Sequence, residues 1–213
     1  MTATDAQRAT AWQVQSLLMG YPDPPLLERL PLLSAAVTTL PDAIGAPLRT
    51  TLDHLARTPL TELAADYVAT FDHRRRFSPY LTYFTYGDTR KRGMALLRFK
   101  HAYRQAGLVL DDAELPDHLA VVLEFAASGD AAVGTRLLIE HRAGLELMRL
   151  GLHEHGSPWA HVVDSVCATL PPMGRRDHDS VARLAAEGPP EEEVGLAPFA
   201  PPEYMPAGRG EPR

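Results

Sequence analysis

Proline and glycine punctuate this chain at intervals that leave room for helices of roughly ten to twenty residues and for little else. Between these breakers apolar residues recur every three or four positions, and strand-like alternation is almost absent. The segment Asp5 to Met19 has apolar positions at Ala9, Trp12 and Leu17, with Gly20 as a stop signal and Pro22 beyond it. A second helix is expected from about Leu26, kinked or delayed by Pro31 and ended by Pro41, and a short third one from Pro47 to Ala56. Thr58-Pro59 reads as cap and first helical position of a helix through Leu63, Tyr67 and Phe71 to about Asp72. Asp88 reads as the cap of a long helix to Ala106, closed by Gly107. Another helix is expected from Pro116. Gly129-Asp130 separates it from one long helix striped by Val133, Leu137, His141, Leu145, Met148 and Leu152. Ser157-Pro158 opens a final apolar helix that Pro171-Pro172 stops, and only LVLDD at 108–112 is a faint strand candidate.

The expected fold class is therefore all-α: a single-domain bundle of about seven to nine helices over residues 1–187. Residues 188–213 are rich in Pro, Gly and Glu and are expected to form an extended or disordered, flexible tail. The 213 residues suffice for one sizeable core. No apolar run is long enough to span a membrane, and the N-terminus lacks a basic segment followed by an apolar core, so neither stable membrane insertion nor secretion is expected. A net charge of -6 disfavours a nucleic-acid partner and suits a cationic one. The single cysteine, Cys167, sits on an apolar face and reads as packing, in keeping with a reducing cytoplasm.

Catalytic signatures are missing. The chain has no phosphate loop, no dinucleotide fingerprint and no G-x-S-x-G elbow. Nine histidines make no recognisable metal-ligand spacing; His141 reads as a core histidine, and His153 and His155 as helix-end residues, so no catalytic and no metal site is expected. Two basic clusters, Arg74, Arg75 and Arg76, then Arg90, Lys91 and Arg92, admit two readings: an anion or phosphate contact through forked guanidinium groups, or a solvated surface.

The stretch ELPDHLAVVLEF, 114–125, poses a sharper question. Leu115, Leu119, Val122 and Leu123 mark one helix face, while Asp117 and Glu124, seven residues apart, differ by about 20° in azimuth and form a line. Acids near a helix start are stabilising in themselves, by about 0.3–1 kcal/mol each. That accounts for Glu114 and Asp117 but not for Glu124, so decoration and a cation-gripping surface both stay open.

YVATFD (67–72), YGDTRKRGMALL (86–97), YRQAGL (103–108) and ELPDHLAVVLEF resemble, in order, the nitrate reductase molybdenum cofactor assembly chaperones of the NarJ type, over roughly residues 10–170. GLAPF, 195–199, is similar to the family's C-terminal end. The resemblance implies an all-helical cytoplasmic chaperone with no reaction of its own, of the TorD-like superfamily of redox-enzyme maturation proteins. Its partner would be the N-terminal segment of the catalytic subunit of a respiratory nitrate reductase, held ready for cofactor insertion and membrane docking, with cofactor-biosynthesis proteins as further partners. No cofactor would be bound permanently, although a transient contact with the client's molybdenum bis-guanine-dinucleotide cofactor is compatible with this role.

The expected client site combines groove walls from Tyr67, Phe71, Tyr80, Tyr83, Leu115, Pro116 and Leu119 with the acids Asp72, Glu114, Asp117 and Glu124. His118 joins them, and its protonation near pH 6 is expected to weaken the hold on a cationic peptide. Arg74, Arg75, Arg76, Arg90 and Arg92 are the candidates for an anion or cofactor contact. Where many members carry His-x-His-Gly, this chain has Phe84-Thr85-Tyr86-Gly87, which removes histidines from that position. The alternatives are a chaperone for another molybdenum oxidoreductase, a phosphate- or nucleotide-binding enzyme built on those arginines, and a helical regulator of transcription.

Overall fold

A computed structural model describes residues 3–111 and 113–190 of the chain. Among the described residues eleven α-helices follow one another: α1 (Asp5–Met19), α2 (Pro24–Val37), α3 (Asp42–Arg57), α4 (Leu60–Phe71), α5 (Leu81–Tyr86), α6 (Arg90–Gln105), α7 (Leu119–Ser128), α8 (Ala131–Glu140), α9 (Arg142–His155), α10 (Ala160–Thr169) and α11 (Arg175–Glu187). A 3-10 turn, Arg75–Phe77, lies between α4 and α5. The described residues contain no strand, as expected; LVL at 108–110 is irregular backbone. No helix among them is long and apolar enough to cross a membrane.

The helix count exceeds the expected seven to nine for identifiable reasons. The stripe from Val133 to Leu152 belongs to two helices, because the backbone at His141 leaves helical geometry (φ −106°, ψ 16°). No Gly or Pro marks that break. Its cause is tertiary: the His141 ring packs on Phe99 with centroids 5.5 Å apart and stands 3.3 Å from the Thr85 hydroxyl. LTYFTY forms α5, and α11, unmarked by any apolar run, packs along α9.

Several helix starts move. Asp23 caps α2 by accepting from the Leu26 amide at 2.8 Å, so α2 begins at Pro24 and runs through the exposed Pro31. Thr58 does not cap α4; its hydroxyl donates back to the His54 carbonyl at the end of α3, and Pro59 takes the cap position. Thr89 rather than Asp88 precedes α6, and α10 starts at Ala160 behind Trp159. The break at Gly129-Asp130 falls where expected, and Asp130 caps α8 by accepting from the amides of Ala132 and Val133.

α1 is the central post, packed on α7, α10 and α2. Trp12, Leu18 and Met19 are buried along it, and Gln15 joins a polar chain in which its amide donates to the Ser165 hydroxyl, which donates on to the Ile44 carbonyl. Buried polar groups of this kind are costly unless partnered, so the chain fixes α1, α3 and α10 in one register. Tyr67, Phe71 and Trp159 interlock nearby, with ring centroids 4.7–5.7 Å apart.

α7 and α8 approach so closely that a β-carbon on Gly134 would lie 2.5 Å from the Ala126 β-carbon and 2.7 Å from its α-carbon. Backbone cannot yield as a flexible side chain does. Gly134→Ala should therefore lower stability by about 1–2 kcal/mol despite the better helix propensity of Ala, read as a lower urea midpoint at unchanged slope.

Candidate functional site

The ELPDH segment is stitched to the start of α5 by backbone. The Leu81 amide donates to the Asp117 carbonyl at 3.0 Å and the Leu119 amide to the Pro79 carbonyl at 2.8 Å, leaving Tyr80 and His118 opposite each other. α7 starts only at Leu119, because the His118 ring serves as its cap: Nδ1 accepts from the Ala120 amide at 3.2 Å. Pro116 therefore lies outside the helix, its carbonyl accepting from the Tyr103 hydroxyl.

Asp117 is fully buried and faces inward. One carboxylate oxygen accepts from the Thr82 amide at 3.1 Å and the Thr82 hydroxyl at 2.5 Å, with Arg92 Nη2 at 3.6 Å. The Thr82 oxygen accepts in turn from Arg92 Nε at 3.1 Å, and the guanidinium lies 5.4 Å from the centre of the Tyr80 ring. Tyr80 donates to Glu114 at 3.1 Å. The expected line Asp117–Glu124 is thus broken: Asp117 precedes the helix and neutralises an internal arginine, and only Glu124 is exposed on α7.

The remaining expected site residues part company. Tyr67 and Phe71 are core residues, the Tyr67 hydroxyl donating to the Met19 carbonyl at 3.0 Å, and Leu119 is buried completely; none of these walls an open groove. Their apolar character is spent on the core, which explains the misreading. Asp72 is exposed at the end of α4. Tyr83 lines a separate hollow of about 510 Å³ beside Arg75, Arg76 and Leu150.

The basic cluster is paired within the chain rather than arranged as an open anion cradle. Arg75 meets Asp88 at 3.3 Å, Arg76 meets Glu154, Arg74 lies 3.1 Å from His155 Nδ1, and Arg92 joins Asp88 and Asp117. Arg90 is the exposed first residue of α6.

Glu124, by contrast, stands on the rim of an apolar hollow of about 190 Å³ formed by α7 and the 108–110 segment, with Tyr103, Leu108, Val109, Leu110, Val121 and Phe125 in its walls. Val109 is 89% exposed and its neighbour Leu108 38%, both in the wall of this hollow, which makes an exposed aliphatic edge. Sequence reasoning missed 108–110 by weighing it as a strand. The available signal was three consecutive aliphatic residues directly after Gly107, whose φ of 78° turns the chain out of α6.

Burial, the largest influence, pushes the pKa of His118 below its ordinary value against the opposing pull of Glu114 and Asp117. Its Nδ1 is already engaged as an acceptor from the Ala120 amide. Burial likewise lowers His141 to about 4; Asp117 and the Leu81 backbone oppose the shift and Arg98 reinforces it. The Cys167 thiol is pushed up to about 12 by burial, as fits a packing residue. No group of three or more His, Cys, Asp or Glu among the described residues is placed to hold a metal ion.

Residues 37–164 match the model of the nitrate reductase delta subunit family, well over half of the chain. The chain belongs to that family. It is 41% identical over 164 residues to the nitrate reductase-like protein NarX of Mycobacterium tuberculosis, covering 76% of this chain but only 24% of that protein, so the match spans about a quarter of that relative's length. NarJ of Bacillus subtilis is 29% identical over 83% of this chain and 96% of its own. The nitrate reductase molybdenum cofactor assembly chaperone NarJ of Escherichia coli is 31% identical over 71% of this chain and 65% of its own. A solved structure from Archaeoglobus fulgidus, assigned as a redox enzyme maturation protein, shares the fold at a TM-score of 0.54 and 22% identity, covering 76% of this chain and 91% of that one.

Two predictions follow from burial. Removing one partner of a buried ion pair is costly, so Asp117→Ala should lose about 3–5 kcal/mol in urea unfolding, whereas Glu124→Lys should change stability by less than about 0.5 kcal/mol. For His141 the folded pKa lies below the unfolded one, so its contribution is complete above about pH 6.5 and is lost as pH falls toward 4. The loss should reach about 2–3 kcal/mol. Urea midpoints from pH 7 to pH 4.5 should fall less steeply for His141→Gln than for the parent.

Proposed function

We propose that this protein is an assembly chaperone for a respiratory nitrate reductase, acting in the cytoplasm on the apo catalytic subunit. The N-terminal segment of that subunit is the client, taken up as an amphipathic helix and held so that the enzyme stays open for molybdenum cofactor insertion and membrane docking. The chaperone binds no cofactor permanently; any meeting with the bis-guanine-dinucleotide cofactor is transient and occurs on the client. Cofactor-biosynthesis proteins are further partners of this stage.

The observation that carries the reading is the exposed aliphatic ledge of Leu108 and Val109 in the wall of a hollow that Glu124 also lines. Apolar side chains held in water gain by covering, at roughly 25 cal/mol per Å² buried. A carboxylate at the rim then selects a partner with a basic residue flanking its apolar face and excludes an acidic one. Glu114, half-buried and accepting from Tyr80 and from the Leu115 amide, is engaged within the chain rather than greeting the client directly. Asp117 and Arg92 act one layer deeper by fixing the residues ahead of α7 against α5. The names of the Bacillus and Escherichia relatives support the assignment to nitrate reductase over another molybdenum enzyme.

Titration calorimetry with a peptide of the catalytic subunit's first few tens of residues tests this. Val109→Ser should weaken binding by about 1 kcal/mol or more, and Glu124→Lys by about three- to tenfold, with a shallower salt dependence. Unchanged affinity in both variants would remove the ledge from the site. Retention of an apo catalytic subunit lacking that N-terminal segment would remove the peptide model altogether.

A further inference from the structure

We propose that the chain's own segment 191–199, EEEVGLAPF, docks in the hollow between α5, α9 and α11, its three glutamates against Arg75 and Arg76 and its Val194 and Leu196 against Tyr83 and Leu150. This segment lies outside the described residues, and the proposal stands independently of the client site.

Three observations carry it. First, the hollow is apolar inside and basic at one edge. Tyr83, Leu147, Leu150 and Leu184 line about 510 Å³, with Leu150 44% exposed, and Arg75 and Arg76 stand at the edge. Second, the chain is delivered to that place. Gly188, at φ 74°, turns the backbone out of α11, and Pro189 is itself part of the lining. The Pro190 carbonyl then presses on Gly87 so closely that a β-carbon there would lie 1.7 Å from its oxygen. Gly87 has φ 57°, so both the backbone conformation and the approach require glycine. Reach is not limiting, since six extended residues beyond Pro190 span at most about 20 Å.

Third, the charges complement one another. Between residues 74 and 92 the chain carries six cationic side chains and one carboxylate, Asp88, to which α9 adds Glu154. The ion pairs Arg75–Asp88 and Arg76–Glu154 are largely solvated, with the arginines 81% and 61% exposed, so they exchange partners at little cost. Directly after Pro190 come Glu191, Glu192 and Glu193, then the first aliphatic residues of the segment. An acidic run followed by Val and Leu matches a basic edge followed by an apolar floor. A basic client peptide would find the same edge repulsive.

Hydrogen–deuterium exchange on the full chain at low salt tests the proposal. The amides of Val194 to Phe199 should exchange at least tenfold more slowly than an unstructured peptide of that sequence. The triple reversal Glu191→Lys, Glu192→Lys, Glu193→Lys should abolish that protection, as should Arg75→Glu with Arg76→Glu, and combining the two sets should restore it. The tail reversal lies outside the helical body, which keeps the test sound should the arginine pair destabilise α5 and α9. Exchange at the unstructured rate in the parent, indifference to the tail reversal, or failure of the combined set to recover protection would overturn the proposal. So would protection that rises with protein concentration, which would mean that a second copy fills the hollow.

Discussion

The arrangement of this molecule turns on one buried carboxylate. Asp117 is fully enclosed, and its oxygen gathers the Thr82 amide, the Thr82 hydroxyl and the Arg92 guanidinium. Two segments 35 residues apart in the chain are thereby held side by side. The backbone bonds Leu81–Asp117 and Leu119–Pro79 close around the same point. From it follow the start of α5, the position of the α6 N-terminus and the capping of α7 by His118. A charge removed from water is stable only with its counter-charge and hydrogen bonds in place. The Asp117–Arg92 pair is accordingly intolerant of losing either member, and specifies geometry more than it adds stability.

That dependence explains what was legible in the sequence and what was not. The all-helical class, the helix break at Gly129-Asp130, the packing role of Cys167 and the core character of His141 follow from local periodicity and chemistry, and each agrees with the structure. The shared motifs also led to the right family. Orientation was not legible. Asp117 and Glu124 are chemically similar and seven residues apart, yet one is enclosed and the other in water, because the helix begins between them at Leu119. A helical wheel started at Pro116 assigns both to one line; three residues of displaced helix start undo it. Tyr67 and Leu119 were misplaced for a related reason. Apolar periodicity says that a residue is covered, and whether the cover is the core or a client is decided by elements far away in the chain.

Charge sorts in the same way. The arginines at 74–76 admit, from sequence alone, an anion contact or a solvated surface. Their partners come from elsewhere: Asp88 across the turn and Glu154 from the end of α9. No short-range rule could supply Glu154, 78 residues away from Arg76.

Two surface hollows then differ in a way that bears on selectivity. One is apolar and edged by Glu124; the other is apolar and edged by Arg75 and Arg76. Apolar burial alone would let either accept any greasy peptide, because the hydrophobic effect has no direction and little specificity. A single charge at the rim changes the sorting rule. A peptide whose aliphatic face is flanked by a basic residue is favoured at the first hollow and repelled at the second, and one that opens with glutamates is sorted the other way. Under the proposed function, a chaperone that holds a basic-headed client while its own sequence continues into the acidic, apolar stretch 191–199 gains from this separation. The two segments need not compete, and neither hollow has to be deep to be selective.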